Sequence, residues 1–168
     1  MRILFLFAFS LIVKIGCCQN NIPTKHQIIT LFRHDADNTE WVICNQDSSF
    51  FKSDTLLLYN NINYFYQKSD CCKLIQWNFY KKNAFTRSNL QVCTEPPLGS
   101  VLTKNDYFKI KLISNKSGLY LFVVNRRDPI DSFKVIDLHE DALANNQKFM
   151  VIVLKRLMDK HPTVVLSY

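Results

Sequence analysis

Apolar and polar residues alternate with a period of two along most of the chain. Eight short segments rich in β-branched and aromatic residues end at Asn, Asp, Ser or Pro, a pattern typical of β-strands. These segments are QIITLF 27–32, TLLLY 55–59, INYFYQ 62–67, KLIQWNFY 73–80, YFKIKLI 107–113, GLYLFVV 118–124, FKVIDL 133–138 and KFMVIVL 148–154. No long amphipathic helix separates them, so the pattern predicts an antiparallel sandwich or barrel. HEDALANN 139–146 is predicted as a short helical turn.

The first residues have the pattern of a secretion signal. Arg2 precedes an apolar run over 3–13 that is too short to span a bilayer, which disfavours a membrane anchor. Gly16 and Cys18 fit the −3 and −1 positions of a signal-peptidase site. We therefore expect a signal peptide over 1–18 and a secreted protein with no stable membrane insertion. Residues 19–168 are expected to form one domain, since linker-like or repetitive sequence is lacking.

The composition is that of a folded domain with a modest positive charge. Hydrophobic residues make up 48% of the chain, which suffices for a core. The formal charge of +7 falls to +5 when Arg2 and Lys14 leave with the predicted signal. Basic pairs are scattered along the sequence, so nucleic-acid binding is not expected. Attraction to an anionic polysaccharide or to a membrane surface stays open.

Four cysteines remain in the predicted mature chain: Cys44, Cys71, Cys72 and Cys93. An even number in an oxidising compartment favours disulfides over a thiolate metal cluster, because no His lies at ligand spacing. Adjacent cysteines rarely bridge each other, since the ring is strained. We therefore expect Cys44 to pair with Cys71 or Cys72, and Cys93 with the other.

Catalytic patterns are weak, and we expect no enzyme activity. The chain lacks a Gly-x-Ser-x-Gly elbow, and its four histidines stand in unrelated contexts. His34, Asp35 and Asp37 form the most polar cluster and could bind a divalent cation. A solvated loop explains the same residues and is the favoured interpretation.

The order of several motifs resembles the phytocyanin family. The match covers roughly residues 41–154 and depends on Phe50 followed by KSDTLLLYN 52–60, NYFYQKS 63–69, CTEPPL 93–98, FKIKL 108–112, GLYLF 118–122 and NQKFMVIV 146–153. The resemblance implies a cupredoxin-like fold, a Greek-key β-sandwich of two sheets. The segment 146–153 would then be the last strand of that sandwich.

The same resemblance implies that type-1 copper is lost. Asn63 occupies the position of the family's first copper-binding His, and no cysteine follows Cys93 to supply the thiolate. His139 is alone in the segment where the other ligands would lie and is expected to be an ordinary surface residue. We expect no cofactor. Early nodulin-like proteins, phytocyanin relatives without copper ligands, are similar in this respect and are taken to bind other molecules outside the cell.

The function expected from these features is a secreted, non-catalytic recognition domain for an extracellular protein or glycan. Candidate partner-binding residues are Trp77 and Tyr80 as anchors with Lys81 and Lys82 as a basic rim. The alternative is a lipid- or hydrophobe-binding sandwich whose aromatic residues line a pocket between sheets. Asn115 begins the sequon Asn-Lys-Ser in a predicted turn and is a candidate glycosylation site.

Overall fold

Nine strands and three short helices make up the part of the protein described by the computed structural model, residues 22–32, 39–67, 70–126 and 128–157. The helices are α1 Lys25–Leu31, α2 Ser49–Lys52 and α3 Asn63–Gln67, with 3₁₀ turns at Gln46–Ser48 and Lys104–Asp106. The strands are β1 Glu40–Cys44, β2 Thr55–Tyr59, β3 Lys73–Lys81, β4 Ala84–Gln91, β5 Leu98–Gly99, β6 Tyr107–Asn115, β7 Gly118–Asn125, β8 Asp128–Ala142 and β9 Lys148–Arg156. The all-β class is confirmed.

The strands close into an eight-stranded antiparallel barrel. Their order is β3-β1-β2-β9-β8-β7-β6-β4, and the β3–β4 hairpin completes the ring, while β5 extends the edge of β4. The predicted Greek-key sandwich was therefore wrong. The physical reason lies in one hairpin: β3 pairs with β1 over five positions while β4 pairs with β6, so the hairpin joins what would have been two open edges.

Large apolar side chains fill the barrel interior. Phe108, Ile110 and Leu112 alternate with exposed residues along β6, and Trp77 and Phe79 point inward from β3. These side chains belong to one buried cluster that includes residues from all eight of the barrel's strands and from α1 and α2. Eight strands enclose a space that side chains can fill. The core is therefore inside the barrel rather than between two sheets.

Helix α1 packs against one end of this core. Ile28 and Phe32 are fully buried, and the Phe32 ring stacks on Phe79 with centroids 4.4 Å apart. The strand predicted at 27–32 was wrong because Thr24 and Gln27 form a capping box that begins a helix. This local signal outweighs the β-branched composition of the segment.

Two more sequence predictions failed near the β8–β9 hairpin. The segment 62–67 forms α3 instead of a strand, and Phe65 packs with Tyr59 and Phe149 in a second apolar cluster. The helical turn predicted at 139–146 was wrong, because β8 continues to Ala142 after a register shift and pairs with β9. A tight turn follows, in which Asn146 adopts φ 62°, a left-handed conformation that Asn tolerates.

Both disulfides form, and their pairing is now defined. Cys44 bonds to Cys71 and Cys72 bonds to Cys93, so the adjacent cysteines belong to different bridges as expected. The first bridge ties the end of β1 to the segment before β3, and the second ties that segment to the segment after β4. The first bridge therefore holds the β3–β4 hairpin, which closes the barrel, to β1, and the second holds the two ends of the hairpin together.

Candidate functional site

Five lysines point outward from four strands of the barrel wall, of which only β8 and β9 pair directly, and define what we call the lysine face. Its members are Lys81 on β3, Lys109 and Lys111 on β6, Lys134 on β8 and Lys155 on β9. Lys109, Lys111, Lys134 and Lys155 each follow and precede inward-facing residues of their strands. Lys81 is aligned with Ala84, which is in turn aligned with Lys109. All five side chains therefore point outward. The register places them in three neighbouring cross-strand rows.

These rows contain no acidic residue. Lys81, Ala84 and Lys109 are aligned across β3, β4 and β6, and Lys111 is aligned with Phe122. The third row runs Ile113, Tyr120, Lys134, Lys155 and Thr55. Within the described residues, none of the five ammonium groups lies within 4.0 Å of a carboxylate. The face therefore carries an uncompensated positive charge.

Lys134 and Lys155 form a direct like-charge pair across β8 and β9. Directly opposite residues in an antiparallel pair have Cβ atoms about 4.5–5.5 Å apart, so two lysines there repel each other. The Lys134 side chain extends over Gly118 of β7, where a Cβ would lie 2.9 Å from its Cε and 3.7 Å from its Nζ. Its ammonium group therefore lies on the side of β8 away from Lys155, which lowers the repulsion between the two charges.

The long lysine stems also cover apolar surface. Phe122 points outward between Lys111 and Ser132, yet its exposed fraction is only 7%. Lysine methylene chains pack on such rings while the ammonium stays in water. The ammonium groups can therefore stay in water while the lysine methylene groups cover the Phe122 ring.

The predicted partner-binding residues divide into two groups. Trp77 is fully buried inside the barrel, its ring 4.6 Å from that of Phe85, so it offers no exposed anchor. Tyr80 is 39% exposed and contacts Tyr107 edge-on at 5.9 Å. Lys81 and Lys82 are exposed at the adjoining hairpin, and Lys81 is part of the lysine face. A partner-binding role for Tyr80, Lys81 and Lys82 stays a prediction.

Two open grooves lie elsewhere on the barrel wall. The larger, about 340 Å³, is bordered by Lys73, Asn89, Gln91 and Ser100 at the β3–β4–β5 edge. The smaller, about 210 Å³, lies where β1 and β2 share a single paired position, Val42 opposite Tyr59. Burial, followed by the nearby Tyr64, raises the pKa of Tyr59, so its phenol stays neutral. Both grooves lie at strand edges rather than in the core.

The other predicted positions are dispersed. Asn115 is exposed at the β6–β7 turn, where its side-chain oxygen accepts a hydrogen bond from the Ser117 N–H at 2.8 Å, and its glycosylation stays a prediction. Asn63 is exposed at the start of α3. His139 lies on β8 with Nδ1 2.8 Å from an Asp137 carboxylate oxygen. His34, Asp35 and Asp37 lie outside the described residues.

Two other kinds of feature, a metal-binding cluster and a membrane-spanning helix, are not found among the described residues. Over residues 22–32, 39–67, 70–126 and 128–157, no group of three or more His, Cys, Asp or Glu side chains is placed to hold a metal ion. No helix in the described part of the chain has the length and apolar character needed to cross a membrane. The chain matches no protein-family model, no curated protein and no solved structure. The phytocyanin resemblance therefore stays a prediction from sequence motifs.

Sequence reasoning missed the lysine face because its members are far apart along the chain. Lys81 and Lys155 each belong to a basic pair that looks isolated in the sequence. The alternation in YFKIKLI did show that Lys109 and Lys111 share one wet face. Only the barrel register brings Lys134 and Lys155 beside each other.

Proposed function

We propose that this protein is a secreted, non-catalytic binding protein whose lysine face recognises an anionic extracellular polysaccharide. The observation that carries the proposal is the set of five outward lysines, none of which has a carboxylate within 4.0 Å among the described residues. A polyanion with repeated sulfate or carboxylate groups would neutralise several of these charges at once. The two disulfides and the predicted signal peptide support an extracellular location.

Glycan binding fits the shape of the face. A convex wall does not enclose a small molecule, but a linear chain can follow the lysines part of the way around the barrel. Tyr80 and Tyr107 at its border offer aromatic surface for sugar rings. The hydrophobe-carrier alternative has less support, since the barrel interior is filled by buried side chains.

The test compares two variants that lose equal charge. The first replaces Lys109, Lys111 and Lys155 with Gln on the lysine face. The matched control replaces three exposed lysines elsewhere: Lys25, Lys73 and Lys104. Each lysine near an anionic surface contributes about 1 kcal/mol, so the face variant should bind immobilised heparin about 100-fold more weakly. The control should stay within about threefold of the wild type by the same reasoning.

Competition experiments separate a glycan from other polyanions. Soluble sulfated polysaccharide should displace the protein, whereas neutral dextran should not. Equal losses of affinity in the face and control variants would show that only net charge matters and would overturn the proposal. Tighter binding to duplex DNA than to heparin at equal ionic strength would also overturn it.

A further inference from the structure

Two arginines and one aspartate meet inside the barrel at the end where α2 packs. Arg156 Nη1 donates a hydrogen bond to one oxygen of Asp131, and Arg87 Nη1 lies 3.4 Å from the other. Arg156 also donates to the backbone oxygens of Phe50 and Ser53. Side-chain exposed fractions are 21% for Arg87, 11% for Asp131 and 17% for Arg156, so the group is mostly buried but reachable from solvent.

The charges in this group do not balance. Two guanidinium groups share one carboxylate, which leaves one positive charge in a largely apolar setting. Asp106 is the other acidic group acting on Arg87, but it is only half-buried and accepts hydrogen bonds from the Thr103 hydroxyl and N–H, each at 2.7 Å. Solvent therefore screens its effect on the buried pair.

Arg87 is the arginine with unused hydrogen-bonding capacity. A guanidinium has five N–H donors, and within the described residues Arg87 makes one hydrogen bond, at 3.4 Å. Its central carbon lies 4.4 Å from the centroid of the Phe108 ring, a stacked position that leaves the N–H edge free for in-plane bonds. Burial lowers the pKa of this guanidinium, whereas the Asp131 and Asp106 carboxylates act in the opposite direction.

A second donor without an acceptor belongs to the residue paired with Arg87 on the neighbouring strand. Trp77 is opposite Arg87 in the β3–β4 register, and both side chains point into the barrel. The Trp77 indole N–H is buried and has no hydrogen-bond partner among the described residues. A buried donor without an acceptor is costly, so this end of the interior is rich in donors and short of acceptors.

We propose that the Arg87–Asp131–Arg156 group is a binding site for one oxyanion group, a carboxylate or phosphate, with Arg87 as its main contact. Arginine binds such planar or tetrahedral oxyanions with two parallel hydrogen bonds. Arg156 supplies additional positive charge, while Asp131 holds both guanidinium groups in place. This site is independent of the lysine face and would accept a small ligand rather than a polymer.

The experiment is an NMR titration of the ¹⁵N-labelled protein at constant ionic strength, with sodium benzoate in one arm and inorganic phosphate in the other. The Trp77 indole signal should shift and saturate. Arg87→Met should weaken binding at least tenfold by the loss of a charge-assisted bidentate contact, and Arg87→Lys should retain part of it. Asp131→Asn should tighten binding severalfold, because it raises the local charge from +1 to +2.

The matched control is Lys73→Met, which removes one exposed positive charge from β3 away from the group. It should leave the titration unchanged. Saturation by benzoate would identify an organic carboxylate as an acceptable ligand, and saturation by phosphate alone would restrict the site to inorganic oxyanions; both support the proposal. Shifts that stay linear for both anions, or weaker binding by a folded Asp131→Asn variant, would show a purely structural ion cluster.

Discussion

Replacing Lys155 with Glu should stabilise the protein while weakening its proposed binding. Lys155 lies directly opposite Lys134, so the change converts a repulsive cross-strand pair into an attractive one. Because the Lys134 ammonium lies over Gly118, away from β9, a separation of about 7 Å from the Lys155 ammonium is a lower limit, and the interaction in water is at most about 0.6 kcal/mol before screening. Reversing its sign therefore changes the free energy of unfolding by about 1.2 kcal/mol at most.

Salt sets how much of this change is observed. At an ionic strength of about 0.01 M the Debye length is about 30 Å, and roughly 1 kcal/mol should remain. At about 0.15 M the Debye length is about 8 Å, and the gain should fall to roughly 0.5 kcal/mol. The lower-salt value corresponds to a rise in melting temperature of about 2–4 °C for a domain of this size.

Urea unfolding at the two ionic strengths measures both quantities. Lys155→Gln, which removes the repulsion without adding attraction, should give about half of the gain. Lys73→Glu is the control, because Lys73 lies opposite Gln91 rather than another lysine, and it should give none of this cross-strand gain. A destabilised Lys155→Glu variant, or a gain that does not depend on salt, would refute the like-charge pair.

Other predictions concern the parts that hold the barrel together. Replacing Cys44 and Cys71 with Ala should lower the free energy of unfolding by about 3.5 kcal/mol, from loop-closure entropy over a separation of 27 residues, as measured by urea unfolding. Trp77→Ala should cost about 3–5 kcal/mol in the same assay, because it leaves a cavity in the core. Hydrogen bonds from the Thr103 hydroxyl and N–H lower the pKa of Asp106 in the folded protein. Its contribution to the free energy of unfolding is therefore present above the ordinary carboxyl pKa and is lost as the pH falls through the folded-state pKa. Asp106→Ala should therefore reduce the melting temperature near neutral pH and much less in acid.

Local patterns predicted individual strands well. Six of the eight predicted strands are confirmed, including TLLLY 55–59 and KFMVIVL 148–154, because alternating apolar residues match the two faces of a barrel wall. The strands β1 and β4 and the two-residue β5 were missed. β1 is only five residues long with three consecutive buried residues, and β4 is mostly polar after Phe85, so neither shows a clear period of two.

Barrel closure could not be predicted from such patterns. It depends on which strand edges meet, and without β1 and β4 the joining hairpin could not be recognised. The binding role assigned to Trp77 failed for a related reason: Trp77 and Phe79 lie on the inward side of β3 and fill the core, whereas Tyr80 faces solvent. The lysine face likewise depends on strand register, which unites residues separated by more than 70 positions.

The most direct test of the proposed function is the salt dependence of heparin binding by the wild-type protein and by the variant with Lys109, Lys111 and Lys155 replaced by Gln. For a linear polyanion, the slope of log affinity against log salt concentration reports the number of charges that the protein neutralises. Each lysine in contact adds about one to the slope, so the variant should have a slope shallower by about three. Equal slopes for the two proteins would show that the lysine face does not bind the polysaccharide.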